Sequence, residues 1–422
     1  MNIKKLNAKF ANCTCKKEHK CDIQSVVIEE NALTKVAKLV RGYKKVLVVY
    51  DKNTYQFAKV VIENLGKKFE NQILLVSQGE LVIPNEEQIE VISNMVTNKT
   101  DLIIGVGSGV INDLCKYVSF TKNLPYYIVA TAPSMDGYAS VGSALILKGM
   151  KVTINARPPK AIIGDTLVLK DAPIDMLRAG YGDIVGKFSC LNDWLLSNVI
   201  NGEHLCQEIY NLVMKQTKKI SKLASKILDR DILSVKTLME ALVIVGVCMS
   251  YVNSSRPASG SEHHLSHYFE ITGILRNKDY FSHGIDVIYS AYVTQKVREK
   301  LLKIENPTSF TNLSKEEYLA KITPIYKGLT EEVFALQEKV GFYNKYTLND
   351  FDSKWQEIIK VLKNAPSSRK MLNYIKNIGL DIKDFYKLYG KKNIKDAVYF
   401  GKDLKDRFSV LWVNYFVNYK EN

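Results

Sequence analysis

Short apolar runs alternate with longer stretches of helical period over the first part of the chain, from about residue 24 to residue 170. Each run is rich in β-branched and aliphatic residues, which is typical of strands buried on both faces of a sheet. The runs cover residues 44–51, 71–78, 101–107, 125–132 and 160–166. Their alternation with helices predicts an α/β domain built on a parallel sheet.

The pattern changes twice after the fourth run. The segments SALILKG and KVTINARPP meet at Gly149 and predict a hairpin that leaves the parallel sheet. From Ala172 onward the strand pattern disappears and amphipathic helices take over, as in residues 204–228 and 238–252. We therefore predict two domains, an α/β domain over residues 1–171 and an all-helical domain over residues 172–422.

The composition is that of a folded protein with reduced cysteines. The chain has 422 residues, which is enough for two or three packed domains without disulfide staples. Its N-terminus, MNIKKLNAKFANC, lacks the apolar stretch of a signal peptide, and the longest strongly apolar stretch, residues 241–252, is shorter than the roughly 20 residues that span a bilayer. We expect a cytoplasmic protein with no integral membrane segment and seven thiols rather than disulfides.

The chain is basic, because 59 lysines and arginines outnumber 44 acidic residues and give a net charge of +15. Such a surface attracts phosphates, nucleic acids or anionic membranes. The lysines are scattered in ones and twos, and no nucleic-acid recognition motif accompanies them. The pattern favours a solvated basic surface over a nucleic-acid groove.

A glycine-rich turn follows the third apolar run in DLIIGVGSGVINDLCK, where Gly105, Gly107 and Gly109 open a helix. Glycine lets the backbone approach a phosphate closely, and the amides at a helix N-terminus supply donors for it. The usual GxGxxG fingerprint after the first strand is absent. The turn is therefore equally consistent with a pyrophosphate site and with a tight structural turn.

Four of the six histidines, at positions 263, 264, 267 and 283, fall within 21 residues. His263 and His267 are four apart and share one helix face, which favours a metal or an anionic substrate as their ligand. Asp183 in AGYGDIVGK could complete a set of three metal ligands, although an aspartate after glycine is also typical of a helix N-cap. His264 points elsewhere on the helix and receives no role.

A second group of metal-binding residue types lies near the N-terminus, at Cys13, Cys15, His19 and Cys21. The spacing C-x-C-x3-H-x-C lacks the two-residue interval of common zinc motifs. Reduced thiols are the favoured interpretation, with a structural zinc site as the alternative.

Five motifs occur in order: GVGSGVIND, TAPSMDGYAS, PKAIIGDT, GYGDIVGK, and SRPASGSEHHLSH followed by SHG. Together they resemble the sn-glycerol-1-phosphate dehydrogenase family, and especially its bacterial, arabinose-operon-associated branch. This family belongs to the iron-containing alcohol dehydrogenase and dehydroquinate synthase superfamily. The resemblance covers about residue 24 to at least residue 300 and is specific, because the motifs agree in order and spacing.

The resemblance implies a metal-dependent, NAD(P)H-linked interconversion of dihydroxyacetone phosphate and sn-glycerol 1-phosphate by a homodimer. The domain 1–171 would bind NAD or NADP, and the domain 172–422 would bind the metal and the small phosphorylated substrate. The preference between NADH and NADPH stays open, because the family often has a basic residue where this chain has Val110.

The resemblance also implies roles for individual residues. One divalent ion, Zn²⁺ or Ni²⁺ with iron as a further option, would be bound by Asp183, His263 and His283. Asp183 and His267 are the implied catalytic residues, and these two with Asp136 are the implied substrate contacts. The implied cofactor contacts are Asp51, Gly107, Ser108, Gly109, Val110, Ile111, Thr131, Ala132, Pro133, Ser134 and Ser140.

Three basic residues, Lys151, Lys187 and Arg256, are candidates for the substrate phosphate, because an arginine fork or a lysine charge suits that group. Each is equally consistent with a surface or helix-terminal charge. Two other activities stay open on the same fold, a glycerol dehydrogenase and a dehydroquinate-synthase-like lyase. The lyase needs several additional basic residues, which the sequence does not place.

Overall fold

The computed structural model describes residues 1–76, 82–147 and 150–418, which form two compact units. The first unit comprises Met1–Ile184 and Lys222–Ser255, and the second comprises Val185–Ser221 and the chain from Arg256 onward. The first unit therefore extends past residue 171, the predicted end of the α/β domain. It includes helices after residue 171 that pack with the sheet.

Eight strands are found in the described residues, all in the first unit. They are β1 Ser25–Glu29, β2 Val46–Asp51, β3 Phe69–Leu75, β4 Leu102–Gly107, β5 Tyr126–Ala130, β6 Gly142–Leu147, β7 Met150–Asn155 and β8 Ala161–Asp165. Six of them form a parallel sheet in the order β1-β8-β5-β4-β2-β3. Strands β2, β4, β5 and β8 are almost wholly buried, because helices cover both faces of a parallel sheet.

Each of the five predicted apolar runs overlaps a strand of this sheet, namely β2, β3, β4, β5 and β8, although β3 begins at Phe69, two residues before the predicted run. Positions 77 and 78 of the second run lie outside the described residues. The predicted hairpin is confirmed, since β6 and β7 pair antiparallel, while Gly149 at its turn is also outside the described residues. Strand β1 was missed, because its short stretch SVVIE alternates buried and half-buried positions at the edge of the sheet.

Helices make up the rest of the regular structure, together with short 3-10 turns. The helices of the chain up to residue 201 are α1 Ile3–Phe10, α2 Val36–Leu39, α3 Tyr55–Leu65, α4 Glu86–Met95, α5 Gly109–Thr121, α6 Thr166–Lys170 and α7 Ile174–Asn201. Those that follow are α8 Gln207–Ile220, α9 Ala224–Leu228, α10 Ile232–Val252, α11 Ser261–Arg276, α12 His283–Leu301, α13 Lys315–Tyr326, α14 Thr330–Val340, α15 Phe342–Lys345, α16 Leu348–Asp352, α17 Trp355–Lys363, α18 Ser368–Asn377, α19 Ile382–Phe400 and α20 Val410–Asn418. The predicted change from an α/β to a helical chain is confirmed.

Among the described helices, α10 alone is long and apolar enough to cross a membrane. In its most apolar window, 67% of the residues are buried within the protein. It packs in the first unit against β1, α6 and the 3-10 turn Asp136–Ala139. An apolar helix enclosed by its neighbours is a core element, so length and composition carry little weight here as signs of a membrane span.

The second unit has an aromatic core with an ion pair buried beside it. Trp355 of α17 and Trp412 of α20 belong to the apolar cluster. Asp193 of α7 and Arg298 of α12 are fully buried, with Oδ1 and Nη2 2.7 Å apart. Asp193 also accepts hydrogen bonds from the amides of Ser261 (2.7 Å) and Val410 (3.0 Å), the first residues of α11 and α20. The pair therefore fixes where both helices begin.

Candidate active site

The strand order creates a crevice at one edge of the sheet in the first unit. The chain passes from β2 to β3 in one direction and from β4 to β5 in the other, so the order reverses between the neighbours β2 and β4. In open parallel sheets, ligands bind at such a reversal, outside the carboxyl ends of the strands. Asp51 ends β2 and Gly107 ends β4 at this point.

The glycine turn after β4 leads directly into α5, which begins at Gly109. The first amides of a helix have no carbonyl partner within it, so they are donors for an anion. Gly107 also has a packing reason to be glycine, because a Cβ there would lie 2.4 Å from Cγ1 of Ile111 in the first turn of α5. The structural and the phosphate-binding interpretations of this turn are therefore compatible.

The loop after β5 lies beside this turn. The amide of Thr131 donates to the carbonyl of Gly107 at 3.1 Å. The structure thus brings together the predicted cofactor residues Asp51, 107–111 and 131–134 at one edge of the sheet.

Two predicted cofactor side chains are engaged in local hydrogen bonds. Asp51 Oδ1 accepts from the amides of Asn53 (2.9 Å) and Thr54 (3.1 Å). The Ser140 hydroxyl donates to the carbonyl of Gly137 at 3.1 Å. Asp51 therefore stabilises the turn that follows β2, and Ser140 stabilises the 3-10 turn Asp136–Ala139 that precedes Ser140.

Asp183 lies well inside α7 and is fully buried, so the N-cap alternative for this residue is wrong. Its Oδ2 accepts the amide hydrogen of Asp136 at 2.9 Å. Asp136 begins the 3-10 turn Asp136–Ala139 and is itself buried. Two residues that the sequence assigns to the substrate are therefore adjacent in the first unit.

Lys116 was missed by the sequence reasoning. Its side chain is fully buried on α5, and its Nζ donates to the carbonyls of Gly137 (2.9 Å) and Gly142 (2.7 Å). Burial lowers the pKa of Lys116, although the charges of Asp113 and Asp136 counter that effect. The lysine holds the turn that carries Asp136, and the Asp113/Lys116 spacing of three on one helix was the available signal.

Three of the predicted histidines are brought together in the second unit. His263 and His267 lie one turn apart on α11, and His283 begins α12. The ring centroids of His283 lie 5.0 Å from His263 and 5.7 Å from His267. Ligand atoms of His263 and His283 lie within 4.8 Å of each other. Two imidazoles at this separation are able to share one ion.

His264 is fully buried and lies outside that group. Burial, followed by the positive charges of Arg407, Lys405 and Arg256, holds its pKa well below the usual range. These effects favour the neutral ring, and the absence of a role for His264 stays a prediction.

Glu262, which was also missed, fixes the ring of His263. Its Oε1 lies 2.7 Å from Nδ1 of His263 and accepts the amide hydrogen of Gly260 at 2.9 Å. Burial by itself raises the pKa of Glu262, but the hydrogen bond and charge of His263 and the backbone amides hold it below the ordinary value. An ionised carboxylate on Nδ1 leaves Nε2 as the lone-pair nitrogen. Neighbours in sequence seldom pair on a helix, so no spacing rule revealed this contact.

The three phosphate candidates differ in their surroundings. Arg256 is buried, and its Nε and Nη2 donate to the carboxylate of Glu203 at 2.8 and 2.6 Å. Nη2 also donates to the carbonyl of Phe408, which favours a structural role over a phosphate contact. Lys187 is fully buried, in the part of α7 that belongs to the second unit. The side chain of Lys151 lies outside the described residues.

The N-terminal group differs from the predicted one. Ligand atoms of Cys13, Cys15 and His19 lie within 4.8 Å of one another, and Cys21 is not part of this group. The predicted set of four ligands is thus reduced to three within the first unit.

Comparison with known proteins agrees with the geometry. The family model described as iron-containing alcohol dehydrogenase matches residues 27–173. Glycerol-1-phosphate dehydrogenase [NAD(P)+] of Geobacillus thermodenitrificans is 33% identical over 349 residues, which is 78% of this chain and 86% of that protein. The chain belongs to the glycerol-1-phosphate dehydrogenase family.

A second relative, the glycerol-1-phosphate dehydrogenase [NAD(P)+] of Pyrococcus furiosus, is 33% identical over 68% of this chain and 84% of its own length. The crystal structure of a 1,3-propanediol oxidoreductase shares the fold, with a TM-score of 0.63 and 13% identity over 92% of this chain and 94% of that one. The predicted family, fold and oxidoreductase class are confirmed. A homodimer and a cytoplasmic location stay predictions.

Gly107→Ala is expected to raise the KM for the nicotinamide nucleotide by roughly 10- to 100-fold, because the new Cβ displaces Ile111 and with it the N-terminus of α5. Steady-state kinetics with NADH and NADPH measure the effect. Gly42→Ala is the matched control, since a Cβ at Gly42 meets no atom within 4 Å. An unchanged KM in Gly107→Ala would mean that the turn does not position the nucleotide.

Proposed function

We propose that this protein reduces dihydroxyacetone phosphate to sn-glycerol 1-phosphate with NADH or NADPH, and catalyses the reverse oxidation. In the reduction, a hydride from the nucleotide and a proton from the enzyme add across the C2 carbonyl. The observation that carries the proposal is the cluster of His263, His267 and His283, in which Glu262 orients His263. The relatives of the chain carry this activity in their names. The crevice beside Gly107 supports the use of a nucleotide as the second substrate.

Asp183, His263 and His283 are the residues that we propose as ligands of one divalent ion. One carboxylate and two imidazoles form a donor set that leaves coordination positions open, as catalytic sites require. Zn²⁺, Ni²⁺ and iron all accept such donors. When bound, the ion polarises the substrate carbonyl and stabilises the negative charge that develops on its oxygen.

The surroundings of the proposed ligands fit this function. Glu262 holds His263 by Nδ1, so Nε2 is the nitrogen that faces an ion. The amide of Asp136 orients the carboxylate of Asp183 within the first unit. Because both side chains are buried, they lose little orientational freedom when an ion binds.

We assign the proton of the reduction to His267. Its side chain is 14% exposed, so it can exchange protons with water, and Nδ1 lies 4.0 Å from Oε2 of Glu270. An imidazole that exchanges protons with water can deliver one to the oxygen on C2 in the reduction and accept it in the reverse oxidation.

The nucleotide and the phosphate require separate positively polarised sites. We assign the amides at the start of α5 to the pyrophosphate and Asp51 to the adenosine side. We take Lys187 as the candidate for the substrate phosphate, because it lies one helical turn after Asp183 on α7. A lysine ammonium acts on a phosphate as a point charge.

The proposed activity predicts that dihydroxyacetone phosphate is reduced far more efficiently than dihydroxyacetone. Binding energy from the non-reacting phosphate holds C2 in place, so its loss lowers kcat as well as affinity. The assay follows NADH and NADPH oxidation by metal-reconstituted enzyme with both ketones, and NAD⁺ or NADP⁺ reduction with glycerol. Equal efficiency with the unphosphorylated compounds would contradict the assignment and support a glycerol dehydrogenase.

Lys187→Gln extends this test to the phosphate site. We expect kcat/KM for dihydroxyacetone phosphate to fall roughly 10- to 100-fold while that for dihydroxyacetone changes little. The ratio of the two values is the readout, because a general loss of folded enzyme would lower both equally. An unchanged ratio would remove Lys187 from the phosphate site.

Glu262→Gln is expected to lower metal affinity or kcat about 10- to 100-fold, since it removes the charge that orients His263 and raises its basicity. Metal content after dialysis and kcat at saturating metal separate the two effects. Glu240→Gln is a control on a helix of the first unit. Full metal content and full activity in Glu262→Gln would show that the contact does not support a metal ligand.

A further inference from the structure

The segment between α1 and β1 has no regular secondary structure, but four of its side chains are buried. Residues 11–24 form only turns and irregular loop, yet Cys13, His19, Cys21 and Ile23 are each at most 9% exposed. A loop of this length in a compact unit is usually functional or held by specific contacts. Its polar and sulfur-containing side chains are therefore candidates for such contacts.

Three of these side chains converge on one point. Cys15 Sγ lies 3.0 Å from Nε2 of His19, and the ligand atoms of Cys13, Cys15 and His19 all lie within 4.8 Å of one another. In a tetrahedral zinc site, bonds of roughly 2.0–2.3 Å place the ligand atoms about 3.5–3.8 Å apart. An ion at the centre requires the Cys15–His19 contact to open by only about 0.5 Å.

The ring of His19 is oriented as a metal ligand requires. Its Nδ1 lies 3.0 Å from the carbonyl of Tyr251 in α10, and a carbonyl only accepts, so Nδ1 carries the hydrogen. Nε2 then has the lone pair and faces the thiols. The ring also packs edge-on against Phe10 with centroids 5.9 Å apart, which restricts its rotation.

The backbone bends to present the two thiols. The amide of Lys16 donates to the carbonyl of Cys13 at 3.1 Å, and Lys16 has a left-handed φ of 61°. A lysine is strained in this region unless its surroundings compensate. A metal bound by residues on both sides of the turn is one such compensation.

We propose that Cys13, Cys15 and His19 form a structural zinc site that fastens the N-terminal segment to α10. Two thiolates and one imidazole are a soft donor set that selects zinc, and they supply three of the four positions of a tetrahedral ion. Zn²⁺ binding displaces the thiol protons of Cys13 and Cys15 to solvent and changes no oxidation state. The site does not involve the residues proposed for catalysis and stands without the proposed function.

Cobalt substitution tests the site without any assay of activity. Protein freed of metal under reducing conditions is titrated with Co²⁺, which gives a sulfur-to-cobalt charge-transfer absorption only when thiolates bind it. We expect a band that saturates near one ion per chain in the wild type and in His263→Ala, whose proposed catalytic ligands contain no sulfur. Cys15→Ser is expected to weaken the band strongly, whereas Cys21→Ser, in the same segment but outside the cluster, keeps it. No band in the wild type, or an equal band in Cys15→Ser, would overturn the proposal.

A second measurement uses the wild-type protein alone, in case a variant fails to fold. Thiol alkylation followed by mass spectrometry is compared with and without Zn²⁺. We expect zinc to slow the modification of Cys13 and Cys15 at least 10-fold while Cys21 reacts alike in both samples. A further cysteine protected in parallel would identify the fourth ligand. Equal modification of Cys13 and Cys15 with and without zinc would exclude the site.

Discussion

The fold of the first unit depends on one constraint, which is that both faces of its parallel sheet are buried. Parallel neighbours cannot be joined by tight turns, so each connection crosses a face of the sheet. The crossings after β2 and β4 run in opposite directions, which is the topology that forms a crevice at the ends of two neighbouring strands. The crevice therefore results from the winding of the chain, and Gly107 allows α5 to start directly above it.

In the second unit, buried charged side chains rather than a sheet position the start of α11. Asp193, braced by Arg298, accepts the first amide of α11, and Glu262 lies one residue further on. A buried carboxylate is tolerated when hydrogen bonds and an opposite charge compensate for lost water. Glu262, in the first turn of α11, accepts the amide hydrogen of Gly260 and orients His263 by its Nδ1.

Strands and site residues that follow a regular sequence spacing were predictable from the sequence. Contacts that follow no regular spacing were not. Continuous apolar runs identified β2, β3, β4, β5 and β8, but the alternating edge strand β1 was missed. His263 and His267 were found because residues four apart share a helix face. Lys116 was missed because the tertiary fold brings to it the carbonyls that it contacts. Glu262 was missed because adjacent residues seldom pair on a helix.

Charge was the least informative signal for the site. Arg256 lies next to the histidine motif in sequence and was a candidate for phosphate, yet its guanidinium is bonded to Glu203 and Phe408. A basic residue near a motif shows its role only when its partners are known. Likewise, the first unit includes residues 222–255, because the apolar helix α10 packs on elements of the sheet layer.

The stereochemistry of the product tests the central claim most directly. The glycerol phosphate made from dihydroxyacetone phosphate and NADH is isolated and offered, with NAD⁺, to an oxidoreductase that accepts only sn-glycerol 3-phosphate. Hydride delivered to one face of C2 in a fixed site gives a single enantiomer. We expect none of the product to be oxidised, because it is sn-glycerol 1-phosphate. Complete oxidation would show that the enzyme makes the opposite enantiomer and would exclude the proposed activity.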